Sequence, residues 1–227
     1  MATRTRRTER REEPLSRERI VEAAVAILDA AGESGLTFRA LAERLATGPG
    51  AIYWHVTGKD ELLGAATDAV VAGTMAAAAS DATAREAVRA LALGIFEAID
   101  DHPWVGAQLA RASWESSWES PMLRVLERLG RQVQALGIAE GAQFTSACAL
   151  MHYILGASNQ NAANARTQQQ AVDRTEYLTA ASAAWAKLDP DEYPFIRAIA
   201  GQLPEHDDRA EFLAGIDLIL DGITARQ

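Results

Sequence analysis

The chain has 227 residues, 48% of them hydrophobic and 23% charged, an ordinary make-up for a folded soluble protein with room for one large domain or for a small and a medium one. No apolar run reaches the roughly 18 residues of a membrane-crossing helix, and the polar, Arg-rich start lacks the apolar stretch of a secretory signal. A cytoplasmic protein with no membrane partner is therefore expected, and its single cysteine, Cys148, excludes an internal disulfide and reads as a small buried hydrophobe.

The net charge of −9 argues against a nucleic-acid partner until its distribution is read. The first 60 residues hold 10 basic and 9 acidic groups, and the remainder hold 12 and 22. Arg4, Arg6, Arg7, Arg10 and Arg11 face only Glu9 at the start. This asymmetry fits DNA contact at one end. A solvated tail without a partner is the other reading.

Nearly every segment reads as helix, so an all-α fold is expected. Ser16 caps a first helix running to about Ala31, with Ile20, Ala23, Ala24, Ile27 and Leu28 forming one apolar stripe,. Gly32 and Gly35 end it. Thr37 caps a short second helix through Leu45, with Leu41, Ala42 and Leu45 turned inward. "TGPG" at 47–50 is a tight turn, and a third short helix follows at 51–56. Thr57 then caps a fourth helix reaching about Ala79, with Asp60 and Glu61 at its positive end. Amphipathic stretches follow at 84–101, 103–114, 121–136, 140–165, 172–187, 191–202 and 207–225, several of them separated by Pro103, Pro121, Gly137, Pro190 and Pro204. The amide-rich run at 159–170 reads as a helix end entering a loop.

Two of these stretches are apolar over more than one face. One carries Phe144, Ala147, Leu150, Met151, Ile154 and Leu155; the other carries Phe212, Leu213, Ile216, Leu218, Ile219, Leu220 and Ile223. Such helices need neighbours on two sides. For the last helix a second copy is the simplest neighbour, so a homodimer is expected, with Leu155, Phe212, Ile216, Ile219 and Leu220 at its interface.

Two short helices joined by a Gly-containing turn form a helix-turn-helix, whose second helix must fit the major groove. Gly48 and Gly50 permit close backbone approach, and Pro49 presets the first turn. Ile52 and Val56 would pack inward, so Tyr53, Trp54 and His55 cannot all face the core. The segment "LTFRALAERLATGPGAIYWHVTGKDELL" at 36–63 resembles the TetR family signature, and its "YWHV…K" is similar to that of the tetracycline-repressor branch. Ala46 stands where Gly is common in that turn, and Thr47 where an apolar residue is common.

The resemblance implies a flexible basic arm at 1–14, a three-helix DNA-binding domain at 15–62, and a helical effector-binding and dimerisation domain at 63–227. It implies that Arg39 reaches a base edge or phosphate and that Gly48, Pro49, Gly50 and Ala51 start the recognition helix at the groove. It further implies phosphate contacts from Tyr53, His55 and Lys59, packing of Trp54 on the sugar–phosphate backbone or a thymine methyl, and minor-groove contacts from Arg4, Arg6 and Arg7. On the residues alone, Tyr53 as partly core, Arg39 as a solvated charge and the arm as unstructured remain open.

For the second domain, Phe96, Trp104, Trp114, Trp118 and Met122 suggest the wall of a pocket for a small, largely apolar or aromatic effector. His102, His152, Tyr153, Asn159 and Asn161 supply polar contacts,. Ordinary core is the competing reading. The four histidines are scattered, so no metal site is expected, and no cofactor. No Gly-rich phosphate loop and no nucleophile or metalloprotease motif is present, which argues against an enzyme. The expected activity is that of a dimeric repressor released from a palindromic operator by a ligand. A DNA-binding regulator without an effector is the alternative.

Overall fold

The computed structural model describes residues 14–75, 82–111, 120–168 and 173–225, and every element in them is helical. The chain divides into two compact units, residues 1–66 and 67–227.

In the first unit, α1 (Arg17–Gly35) is capped by the Ser16 hydroxyl, which accepts from the Arg19 N–H. Its regular part stops where Gly32 takes φ +64°, a left-handed value glycine adopts at little cost,. The Thr37 hydroxyl caps α2 (Phe38–Arg44) by accepting from the Ala40 N–H,. After the turn, α3 (Pro49–Tyr53) starts from an extended Gly48 with Pro49 in its first turn,. It starts two residues before the 51–56 segment expected and ends three residues before its end, with Trp54 as the C-cap. The core of this unit is Ile20, Ala24, Leu28, Leu36, Leu41, Ile52, Val56 and Leu62. The long helix α4 (Lys59–Met75) starts in this unit, and the boundary between the units falls within it.

The second unit contains α5 (Ala84–Asp101), α6 (Pro103–Arg111), α7 (Pro121–Ala135), α8 (Glu140–Gln168), α9 (Arg174–Trp185), α10 (Pro194–Ile199), a 3₁₀ helix (Ala200–Glu205) and α11 (Asp208–Thr224). The Thr83–Glu86 capping box fixes the start of α5,. The axis of the unit is α8, which packs against α5, α6, α7 and α11. Its amide-rich end continues as helix to Gln168 instead of breaking. There the Asn159 amide nitrogen donates to the Leu155 carbonyl at 2.7 Å and the Gln160 amide nitrogen to the Asn164 side-chain oxygen at 3.1 Å, so these amides find partners along the helix itself,.

The last helix, α11, buries Phe212, Ile216 and Leu220 inside its own unit, against α5 and α8. Arg85 and Arg89 of α5 both pair with Asp217, and Arg85 also pairs with Asp221. Of the residues expected at a dimer interface, these three are therefore held within the chain, while Leu155 and Ile219 are half-buried. The large apolar side chain that α11 leaves open is Leu218, 73% exposed.

Candidate nucleic-acid interface and ligand cleft

The turn between α2 and α3 is built on Ala46, whose φ is +50°. This is the left-handed position at which glycine is the usual residue. Beyond the turn, α3 presents Gly48, Pro49 and Gly50 to solvent, with Ala51 half-buried and Ile52 fully buried. Ile52 and Val56 anchor the segment inward. Three bulky residues between them are left with one small core, and two of them stay outside: Tyr53 is 55% exposed and Trp54 is 88% exposed. His55 is half-buried.

Tyr53 is not loose. Its ring stacks on that of Phe38, at the opposite end of the helix pair, with centroids 4.3 Å apart and an interplanar angle of 6°. Nothing in the sequence reading singled out Phe38. The available signal was an aromatic residue directly after the Thr37 cap, where a solvated side chain is commoner.

The two other cations expected at this face already have protein partners. Arg39 is exposed and its Nε pairs with Glu43 at 2.9 Å, one turn along α2. Lys59 is half-buried and donates from Nζ to the Glu33 carbonyl at 2.7 Å, tying the start of α4 to the end of α1. Beside it, the Glu61 carboxylate accepts from the Thr57 N–H at 2.7 Å, the Thr57 hydroxyl at 2.8 Å and Arg17 at 2.9 Å. These donors, the Thr57 N–H first, pull its pKa down to about 2,. Thr57 thus serves the start of α4 as a donor to Glu61, not as the hydroxyl acceptor expected of an N-cap. Arg4, Arg6 and Arg7 lie outside the described residues.

In the second unit the expected pocket residues are dispersed. Trp114 and Trp118 lie outside the described residues. Trp104 is 8% exposed, with His102 edge-on to it at 6.2 Å. Met122 is buried, Phe96 is half-buried against Phe212 at 4.7 Å, and His152 is exposed. Beside Trp104 the helices α6 and α8 are closed on each other: a Cβ built on Gly106 would fall 2.0 Å from the Asn159 side-chain oxygen.

Open volume lies on another side of α8. A cleft of about 810 Å³ runs between α8, α9, the 3₁₀ helix and α11. Tyr153, Trp185 and Phe212 contribute rings to its wall, and Gln160, Asn161, Asn164 and Gln202 contribute amides. The Tyr153 hydroxyl donates to the Phe212 carbonyl at 3.2 Å and its ring stacks on Phe212 at 5.7 Å. Burial, followed by the nearby Glu211 carboxylate, pushes the Tyr153 phenol above its ordinary pKa, so it stays a neutral donor,. At the mouth of the cleft, the two ring nitrogens of His206 lie 2.9 Å from Asp208 and 3.0 Å from Glu211. Of the expected pocket residues Tyr153 and Asn161 line this cleft, and Phe212, expected at a dimer face, lines it as well. Trp185, Gln202 and His206 were missed, because their sequence spacing carries no hint that they meet.

Among the described residues, no group of three or more His, Cys, Asp or Glu side chains is placed to hold a metal ion. No helix among them is long and apolar enough to cross a membrane.

Residues 20–66 match the model of bacterial regulatory proteins of the tetR family, and residues 77–227 match the tetracyclin repressor-like C-terminal domain. The solved structure of the transcriptional regulator SCO7222, a TetR from Streptomyces coelicolor, is 59% identical, with a TM-score of 0.85 over 93% of this chain and 99% of that one. The HTH-type transcriptional repressor DrrR1 of Streptomyces coeruleorubidus is 30% identical over 220 residues, which cover 92% of this chain and 77% of DrrR1. BioQ, solved with its natural double-stranded DNA operator, is 25% identical, with a TM-score of 0.62 over 93% of this chain and 99% of that one. With both of its units matched, the chain belongs to the TetR family and is a DNA-binding transcriptional regulator of the helix-turn-helix type.

Proposed function

We propose that the protein is a dimeric repressor that binds a palindromic operator and is released by a small aromatic effector. The observation that carries the DNA side is the pair of exposed aromatic side chains, Tyr53 and Trp54, at the end of a groove-sized helix. Two copies would set their α3 helices in successive major grooves about 34–36 Å apart. Tyr53 and His55 would meet phosphates. Trp54 would pack on sugar–phosphate or a thymine methyl, and Arg4, Arg6 and Arg7 would enter an adjacent minor groove.

Arg39 remains available, because an exposed pair one helical turn apart is worth only a few tenths of a kcal/mol. Lys59 has three N–H donors, and one is used on the Glu33 carbonyl, so a phosphate can take another,. BioQ, a structural relative, is known bound to its operator. Pairing of two copies is supported by the exposure of Leu218 and Phe144 on α11 and α8.

The effector would enter the cleft between α8, α9 and α11, where the Tyr153 and Trp185 rings offer stacking faces and the amides offer hydrogen bonds. A flat, ring-bearing molecule with polar substituents fits this lining,. It would lower DNA affinity only to the extent that it prefers the DNA-incompetent state, and α4 is the proposed coupler. A regulator without an effector is the competing reading, favoured by the burial of Trp104 and the closed α6–α8 contact.

Selection of duplexes from a random-sequence pool by the full chain tests the DNA reading. A two-fold-symmetric sequence with half-sites one helical turn apart is expected, and failure to enrich any sequence would overturn it. Thermal-shift screening with aromatic compounds, followed by titration of the selected duplex, tests the effector. Compounds that raise the melting temperature should weaken DNA binding; stabilising compounds that leave it unchanged would leave the effector-free regulator standing.

A further inference from the structure

The recognition helix is five residues long, well below the length at which a helix holds itself in water. Its attitude must come from what it is pinned to. At one end the turn through Ala46 joins it to α2. In the middle Ile52 is buried. The free end carries Tyr53, and the only ring packed on Tyr53 among the described residues is that of Phe38, at the first position of α2.

We infer that Phe38 is a positioning residue for DNA binding: its ring clasps Tyr53 across the open end of the helix-turn-helix and fixes the direction in which the Tyr53 hydroxyl is offered. The inference rests on the DNA-binding reading above. Rings 4.3 Å apart and 6° from parallel leave the phenol little freedom except sliding in its own plane,. An exposed tyrosine without such a platform would sample several rotamers and would lose that freedom on docking. The clasp settles the rotamer before DNA arrives. Phe38 itself needs no contact with the duplex.

The test is a double-mutant cycle in the full chain, read as affinity for the duplex that the wild-type chain selects from a random pool. Phe38→Leu keeps apolar bulk and removes the ring face; Phe38→Met does the same should the leucine variant unfold; Phe38→Tyr restores the ring. In the wild-type background, loss of the ring should weaken binding roughly three- to tenfold, the size of an aromatic pair's preference. Phe38→Tyr should restore it. In a Tyr53→Phe background, which lacks the hydroxyl, the same loss should cost less than about twofold.

The salt dependence of binding should not change, since no cation is removed. Equal losses in the two backgrounds would mean that Phe38 supports the fold generally, and would overturn the inference. So would unchanged affinity on removal of the ring. If the wild-type chain selects no sequence, the operator reading fails and this inference fails with it.

Discussion

Leaving an indole in water forgoes roughly 2–3 kcal/mol of burial, and Trp54 does so while a core residue stands two positions away on either side. A contact outside the chain gives that exposure a use. Trp54→Ala should leave the melting temperature nearly unchanged, because an 88% exposed side chain holds nothing in place,. It should weaken binding to the selected duplex about tenfold, equivalent to about 1.4 kcal/mol. Fluorescence anisotropy beside a thermal melt reads both.

Ala46 makes the opposite kind of statement. Its φ of +50° carries a strain that glycine would not,. Ala46→Gly should stabilise the protein by about 1 kcal/mol, or roughly 2–4 °C in melting temperature. Sequence comparison with the family already marked Ala46 as a departure, but only the backbone shows that the departure costs strain. Phe38 shows the limit from the other side: its stack on Tyr53 joins residues 15 positions apart through a turn whose shape no pattern of apolar spacing specifies.

At the scale of elements, the start of α4 is held by charge. Glu61 gathers two donors from Thr57 and one from Arg17, and its pKa is lowered from 4.5 to about 2. A carboxylate depressed in the folded state contributes stability at pH above its unfolded value. That contribution is lost as pH falls from about 4.5 toward 2,. The drop in melting temperature between pH 5 and pH 3 should therefore be larger in the wild type than in Glu61→Gln, as calorimetry would record.

The contact of α11 with α8 rests on small size. A Cβ on Gly215 would lie 1.9 Å from the Tyr153 hydroxyl oxygen and 2.3 Å from the adjoining ring carbon. The Tyr153 ring is pinned by Phe212 and cannot simply swing aside. Gly215→Ala should cost about 1–3 kcal/mol in denaturant titration.

The helices themselves were readable in advance. The expected 84–101 is α5, and 121–136 and 207–225 fall within a residue of α7 and α11 at most boundaries. Each has a cap or proline at its start and a single buried stripe, so local chemistry and tertiary packing agree. The 191–202 stretch came out as α10 and a 3₁₀ helix, with Pro204 inside the latter. The cleft was not readable, because Tyr153 of α8, Trp185 of α9 and His206 of the link before α11 are brought to one cleft only by tertiary packing.

For the whole molecule, an acidic body with a near-neutral first 60 residues suits a protein that touches DNA at one end and repels it elsewhere,. The apolar surface of α11 is divided between two tasks. Phe212, Ile216 and Leu220 complete the chain's own core, and Leu218 is left exposed, where the proposed second copy would cover it. A periodicity argument sees an apolar helix and cannot assign which stripe does which, since both lie on the same seventeen-residue element.

Hydroxyl-radical footprinting of the wild-type chain on its selected duplex puts the central claim to its most direct test. The account predicts two protected tracts related by two-fold symmetry, about one helical turn apart, both fading in Trp54→Ala at concentrations that saturate the wild type. A single tract, or protection that Trp54→Ala leaves intact, would contradict it.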